Sequence, residues 1–229
     1  MSPIREPYEF DARETADLLA ELDRRLRERG VAASVFVVGG AAIAATGARE
    51  GRLTLDIDAV TRDQEVFDEA HRLGLERGLP PGWLNPDAKM WMPPLPAGVL
   101  DQPDRPGLRV TYADDGFLLA TKLIAQRAKD ARDIVALATR LGLLEATPQD
   151  LERHLRSYYT DDATLEFIID GDDISSEITM LCRDASRMLL TVEVEDRTTE
   201  RPTTPRAGVA SHERRQPPST NPPRSGPSR

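Results

Sequence analysis

Apolar and polar positions along this chain alternate between helical and strand-like spacing. From Asp11 to Arg29, Leu18, Leu19, Leu22 and Leu26 recur at the spacing of one helix face. Asp11 is the expected N-cap, with Glu14 three residues on, and Gly30 the stop. The unbroken run Val35–Val38 predicts a strand ending at Gly39-Gly40. A helix of small residues, Ala41 to Thr46, is expected next, then a turn bearing Arg49 and Arg52. A second apolar run follows, with Leu55, Ile57, Ala59 and Val60 on a central strand that also carries Asp56 and Asp58. Arg62 to Gly78 predicts another helix, with Val66, Phe67, Ala70, Leu73 and Leu75 as its apolar set. Its acids crowd the N-terminal half, where the helix dipole favours them.

Leu79 to Pro106 interrupts the pattern, because eight prolines leave no room for a regular element. Trp83 and Trp91 are expected to pack this loop onto the sheet; the alternative is a lid or base-stacking wall beside a bound nucleotide. Leu108–Tyr112 reads as a third strand. Asp114 or Asp115 then caps one long helix to about Arg140, stopped by Gly142. Further helices are expected from Thr147-Pro148, over Asp161–Ile169 and over Ile174–Leu190. From Asp196 onward the chain has seven prolines and almost no large apolar residue, so disorder is expected there.

Composition narrows the class. The 229 residues have a mean hydropathy of −0.45, and no stretch approaches the ~20 apolar residues of a membrane span. The N-terminus lacks the apolar core of a secretory leader, and the single cysteine, Cys182, excludes an internal disulfide or a cysteine-rich metal site. A cytoplasmic location, no membrane partner and a core-filling role for Cys182 are the expectations. The net charge is −9, but the segment from Asp196 carries +4, which leaves −13 on the rest. Such a body lacks the broad basic footprint of a nucleic-acid binder, so any contact with RNA must be local.

The chemistry concentrates in the glycine pair and the two acids. Side chains at i and i+2 of a strand share a face, so Asp56 and Asp58 are expected to project together, with Leu55 and Ile57 opposite. Two adjacent carboxylates repel unless a cation lies between them. Oxygen ligation of this kind suits Mg²⁺, which takes one or two carboxylates plus substrate phosphates. Gly39 and Gly40 lack Cβ atoms, so a phosphate can approach the backbone, and the following helix offers free N–H groups. Together these describe a site for an NTP and its metal.

The string Gly39-Gly40, helix, Arg52-x-Thr54-x-Asp56-x-Asp58 resembles the active-site signature of the DNA polymerase β-like nucleotidyltransferases, within them the AbiEii/MenT-like toxin group. A second segment agrees: Leu118 to Arg127, with Lys122, followed by Asp130-Ala131-Arg132-Asp133-Ile134. The likeness covers about residues 30–140. It implies an α+β fold with a small mixed sheet of the nucleotidyltransferase type, a helical C-terminal part and a disordered tail. The corresponding divisions are residues 1–145, 146–195 and 196–229. It further implies metal ligation by Asp56 and Asp58, and nucleotide contacts from Gly39, Gly40, Arg52, Thr54, Lys122 and Arg127. Transfer to tRNA, a toxin–antitoxin or phage-defence role and a cognate antitoxin partner are also implied. Alternative readings are an aminoglycoside-type antibiotic nucleotidyltransferase and a catalytically inactive nucleotide-binding relative.

Several residues carry open alternatives. Leu108–Tyr112 lacks the third carboxylate that many such enzymes place on a later strand, so Asp130 or Asp133 is a candidate for that place or for assisting the acceptor. On a continuous helix Lys122, Gln126, Lys129 and Asp133 share a stripe, and Arg127 falls on the apolar face opposite. Lys122 is then either solvated and paired with Gln126 or Asp130, or a triphosphate contact. Asp133 is either a surface partner of Lys129 or catalytic. Arg49 is expected to be solvated. His71, His154 and His212 show no ligand spacing.

Overall fold

A computed structural model describes residues 8–169, 171 and 173–199, with side chains to residue 191. Helix α1, Ala12–Glu28, buries Leu18, Leu19, Leu22 and Leu26, and the Asp11 carboxylate accepts the Glu14 N–H at 2.7 Å. Four strands follow the apolar runs: β1 (Ala32–Val37), β2 (Ile57–Val60), β3 (Leu84–Asn85) and β4 (Gly107–Tyr112). Their order is β3-β2-β1-β4, with β1 antiparallel to β2 and parallel to β4, and β2 parallel to β3. The sheet is therefore mixed and the fold α+β, as the sequence implied.

Helix α2 (Gly39–Ala45) follows β1, and α3 (Gln64–Arg77) follows β2. Buried Glu69 of α3 pairs with Arg25 and Arg29, fastening α3 to α1. Helices α4 (Asp115–Ala125), α5 (Ala131–Arg140), α6 (Pro148–Tyr158), α7 (Asp162–Ile168) and α8 (Ile174–Thr199) complete the chain. Phe36 of β1 meets Phe117 of α4 edge-on at 5.3 Å. One apolar cluster runs from there through Leu151 and Leu155 of α6 to Ile178 and Cys182 of α8. Cys182 is fully buried, as a core filler should be. Among the described residues no helix is long and apolar enough to cross a membrane.

The structure corrects several expectations. The proline-rich loop contains β3 and a 3-10 turn, Asp87–Trp91. β2 begins at Ile57, so Leu55 lies in a bend and is exposed; Leu75 of α3 is exposed too. The long helix from Asp115 is broken: Gln126 takes φ 34° and a short 3-10 turn, Ala128–Asp130, precedes α5. Helix α8 continues past Leu190 to Thr199, into the start of the expected tail, whose remainder (200–229) lies outside the described residues.

Candidate active site

Strand pairing explains how residues nearly twenty positions apart meet. In the β1–β2 ladder Phe36 faces Val60 and Val37 faces Ala59, and the Val38 N–H then donates to the Asp58 carbonyl at 2.9 Å. The next residue, Gly39, turns away at φ +63°, beside the Asp58 side chain. A Cβ on Gly39 would lie 2.5 Å from Asp58 Oδ2. One on Gly40 would lie 2.6 Å from Thr54 Oγ1 and 2.9 Å from Arg52 Nη2. The glycines are thus required by the protein's own side chains, which fill the space that the missing Cβ atoms leave. Thr54 is itself fixed by a backbone bridge to Phe10, with N···O distances of 2.7 and 3.0 Å.

On its other edge β2 pairs with β3, which sets Asp58 opposite Asn85. The Asn85 amide donates to Asp56 Oδ2 at 3.4 Å, and its Oδ1 accepts the Asp87 N–H at 2.9 Å. This bond bends the chain so that Asp87 joins Asp56 and Asp58 along one cleft. Burial, then the charge of Asp56, with a smaller push from Asp87, raises the Asp58 carboxyl to about 6, while Lys122 and Arg127 pull it down. Asp58 therefore sits in a place where negative charge is uncomfortable without a cation.

The cleft encloses about 670 Å³. Gly39, Gly40, Arg52, Thr54, Asp56, Asp58, Lys122 and Arg127 all line it, so the candidates on the β1–α2–β2 unit, on α4 and just after it converge. Asp133 does not. It is fully buried behind the cleft, where it accepts from Arg49 Nη1 at 2.8 Å and Arg52 Nε at 3.1 Å, with Lys122 Nζ at 3.3 Å. Asp130, also fully buried, takes Lys122 Nζ at 2.5 Å and Arg127 Nε at 2.7 Å. Burial pushes both carboxyls up, but their cationic neighbours outweigh it and hold both below the ordinary carboxylate range.

The helix break produces this cluster. On one continuous helix Lys122 and Asp130 lie two turns apart; the reversal at Gln126 folds Asp130 back onto Lys122. The Gln126 amide secures the reversal by donating to the Leu123 and Leu181 carbonyls at 3.0 and 2.6 Å. Two expectations are corrected: Arg127 is half exposed at the cleft rather than facing the core, and Arg49 is an ion-pair partner of Asp133. Of the alternatives left open, Lys122 is buried, though paired with Asp130, and Asp133 is no surface partner of Lys129. Asp114 caps α4 through the Phe117 N–H at 2.8 Å, and His154 meets the Gly116 carbonyl. His212 lies outside the described residues.

Asn85 and Asp87 are the site residues that sequence reading missed. Their signal was Asn85-Pro86-Asp87, a turn-forming triplet inside a loop read only as irregular. The acids of the cleft are Asp56, Asp58 and Asp87. Among the described residues no three His, Cys, Asp or Glu side chains gather closely enough to hold a metal ion alone. A larger, mostly apolar hollow of about 1010 Å³, between α3 and the 79–90 loop, includes Asp87 and Lys89 but none of Asp56, Asp58, Arg52, Lys122 and Arg127. Against known proteins, no family model, curated protein or solved structure matches the chain.

Proposed function

We propose that this chain is an Mg²⁺-dependent nucleotidyltransferase, moving a nucleoside monophosphate from an NTP such as ATP to an acceptor. The carrying observation is the meeting of the Gly39–Gly40 turn, the carboxylates Asp56 and Asp58, and the cations Arg52, Lys122 and Arg127 in one cleft. Asp56 and Asp58 would hold Mg²⁺, which neutralises charge on the phosphate oxygens during transfer. Arg127 and Lys122 flank the same space and steady the triphosphate. Lys122 is held rigid by Asp130, and Arg52 by Asp133, so their charges are aimed before substrate arrives. Asp133 is a positioning residue in this reading, not an acceptor base. The acceptor hydroxyl bonds to the α-phosphorus, the bond to the bridging oxygen breaks, and pyrophosphate leaves as the hydroxyl proton passes to solvent.

The resemblance to the AbiEii/MenT-like group supports tRNA as the acceptor, a toxin role and an antitoxin partner. The −13 charge ahead of residue 196 favours a second acceptor class, a small cationic molecule of the aminoglycoside type. An inactive nucleotide-binding relative is the third reading, motivated by the missing acid on β4; Asp87, which the cleft supplies instead, weighs against it. Incubation with α-labelled NTPs, Mg²⁺ and either total tRNA or aminoglycosides separates them. Label on tRNA supports the first, a mass shift on the drug the second, and binding without transfer the third. No binding of Mg²⁺–NTP at all overturns the proposal.

A further inference from the structure

The two tryptophans of the proline-rich loop have different fates. Trp83 is 3% exposed and donates its indole N–H to the Ala70 carbonyl at 2.9 Å, which makes it part of the core. Trp91 is 54% exposed, yet it lines the cleft that holds Asp56 and Asp58. Among the described residues its ring stacks on no other aromatic group and its indole N–H has no partner. Its backbone, by contrast, is fastened. The Tyr159 hydroxyl donates to the Trp91 carbonyl at 2.7 Å, and Met92 beside it is buried. A large flat ring is thus presented to the cleft on a fixed backbone.

The cleft presents both charged and apolar lining. The β1–α2 turn and the approach to β2 contribute polar and charged groups. The 3-10 turn and the residue after it, the end of α4 and α7 contribute the apolar Ala88, Trp91, Met92, Ile124 and Ile168 beside the charged Asp87 and Lys122. A ligand that fits both must be anionic at one part and flat and apolar at another. A nucleotide meets that description, whereas a bare polyphosphate meets only half. We infer that Trp91 is the platform on which the nucleobase stacks, an inference that rests on the nucleotide reading of the cleft. Its aliphatic neighbours carry no side-chain hydrogen-bonding groups, so selection there works through stacking area and favours purines over pyrimidines.

Calorimetric titration of the full chain with MgATP, MgCTP and Mg–tripolyphosphate tests this. Wild type should bind MgATP more tightly than MgCTP, and both more tightly than tripolyphosphate. Trp91→Ala should weaken MgATP about tenfold or more, the usual scale of base–aromatic stacking, and leave tripolyphosphate unchanged. Trp91→Phe should recover most of the loss. ATP should also quench the exposed tryptophan's emission where tripolyphosphate does not. Equal MgATP affinity in wild type and Trp91→Ala, or tripolyphosphate as tight as ATP, overturns the platform and leaves the phosphate site standing. Failure of all three ligands to bind wild type removes the nucleotide reading and the platform with it.

Discussion

Gly39 and Asp58 constrain each other, and each constraint can be tested alone. Alanine at Gly39 would adopt a left-handed backbone, at roughly 1–2 kcal/mol, and would also displace the Asp58 carboxylate. Gly51 has nearly the same φ, +64°, with nothing within 4 Å of its added Cβ. Both Gly39→Ala and Gly51→Ala should therefore lower the melting temperature, Gly39→Ala by more, but only Gly39→Ala should weaken MgATP binding, by tenfold or more. Equal binding by both variants would show that the glycine turn does not shape the site. Asp58 yields a second prediction. Its folded pKa, about 6, lies above the unfolded value, so the folded state resists ionising it. The penalty is absent below about pH 4 and grows to its full size, on the order of 3 kcal/mol, above about pH 6. Without metal, Asp58→Asn should thus melt higher than wild type at pH 8 and equal to it near pH 3.5, while losing transfer activity. A lower melting temperature at pH 8 would contradict the assignment of strain to that carboxylate.

At the scale of elements, the reversal at Gln126 decides where the cations point. Asp133 holds Arg49, Arg52 and Lys122 from a fully buried position. Removing its charge strands them, and losses from breaking buried pairs run to about 3–5 kcal/mol. Asp133→Asn should destabilise the chain on that scale at pH 7. Because the folded pKa of Asp133 is depressed, its contribution exists above the unfolded pKa and is lost as pH falls through the folded one. The gap between wild type and variant in denaturant melts should accordingly begin to narrow below about pH 4 and go on closing as pH falls further. A gap that does not narrow would mean that shape rather than charge matters at this position. This cluster was only half legible in the sequence. Lys122, Asp130 and Asp133 stood out, but helical periodicity spread them along one stripe. Nothing local marks Gln126 as a left-handed residue, since its reversal is held by a bond to Leu181, more than fifty positions away. The helix α6 boundary shows the opposite case. Thr147 and Asp150 cap each other locally, and Thr147-Pro148 announced that start without tertiary help.

At the scale of the molecule, the sheet order carries the site. β2 has β1 on one edge and β3 on the other, so the two acids are flanked by the glycine turn and by Asn85 and Asp87. The apolar runs foretold β1, β2 and β4. The two-residue β3 could not be foreseen, because it carries no periodic signal and exists only through pairing with β2. That omission hid Asp87; the acids singled out instead, Asp130 and Asp133, are buried in ion pairs. The common core of sheet and helices keeps these parts in register. The acidic body and the basic segment beyond it set the longer-range field, so any attraction of an anion to the cleft would come from its local cations. The most direct measurement is therefore MgATP binding by calorimetry at pH 8, for wild type, Asp56→Asn and Asp58→Asn, with and without Mg²⁺. Saturable binding that requires Mg²⁺ and drops at least tenfold in both variants is the predicted result. Binding that ignores Mg²⁺, or survives loss of either carboxylate, would contradict it.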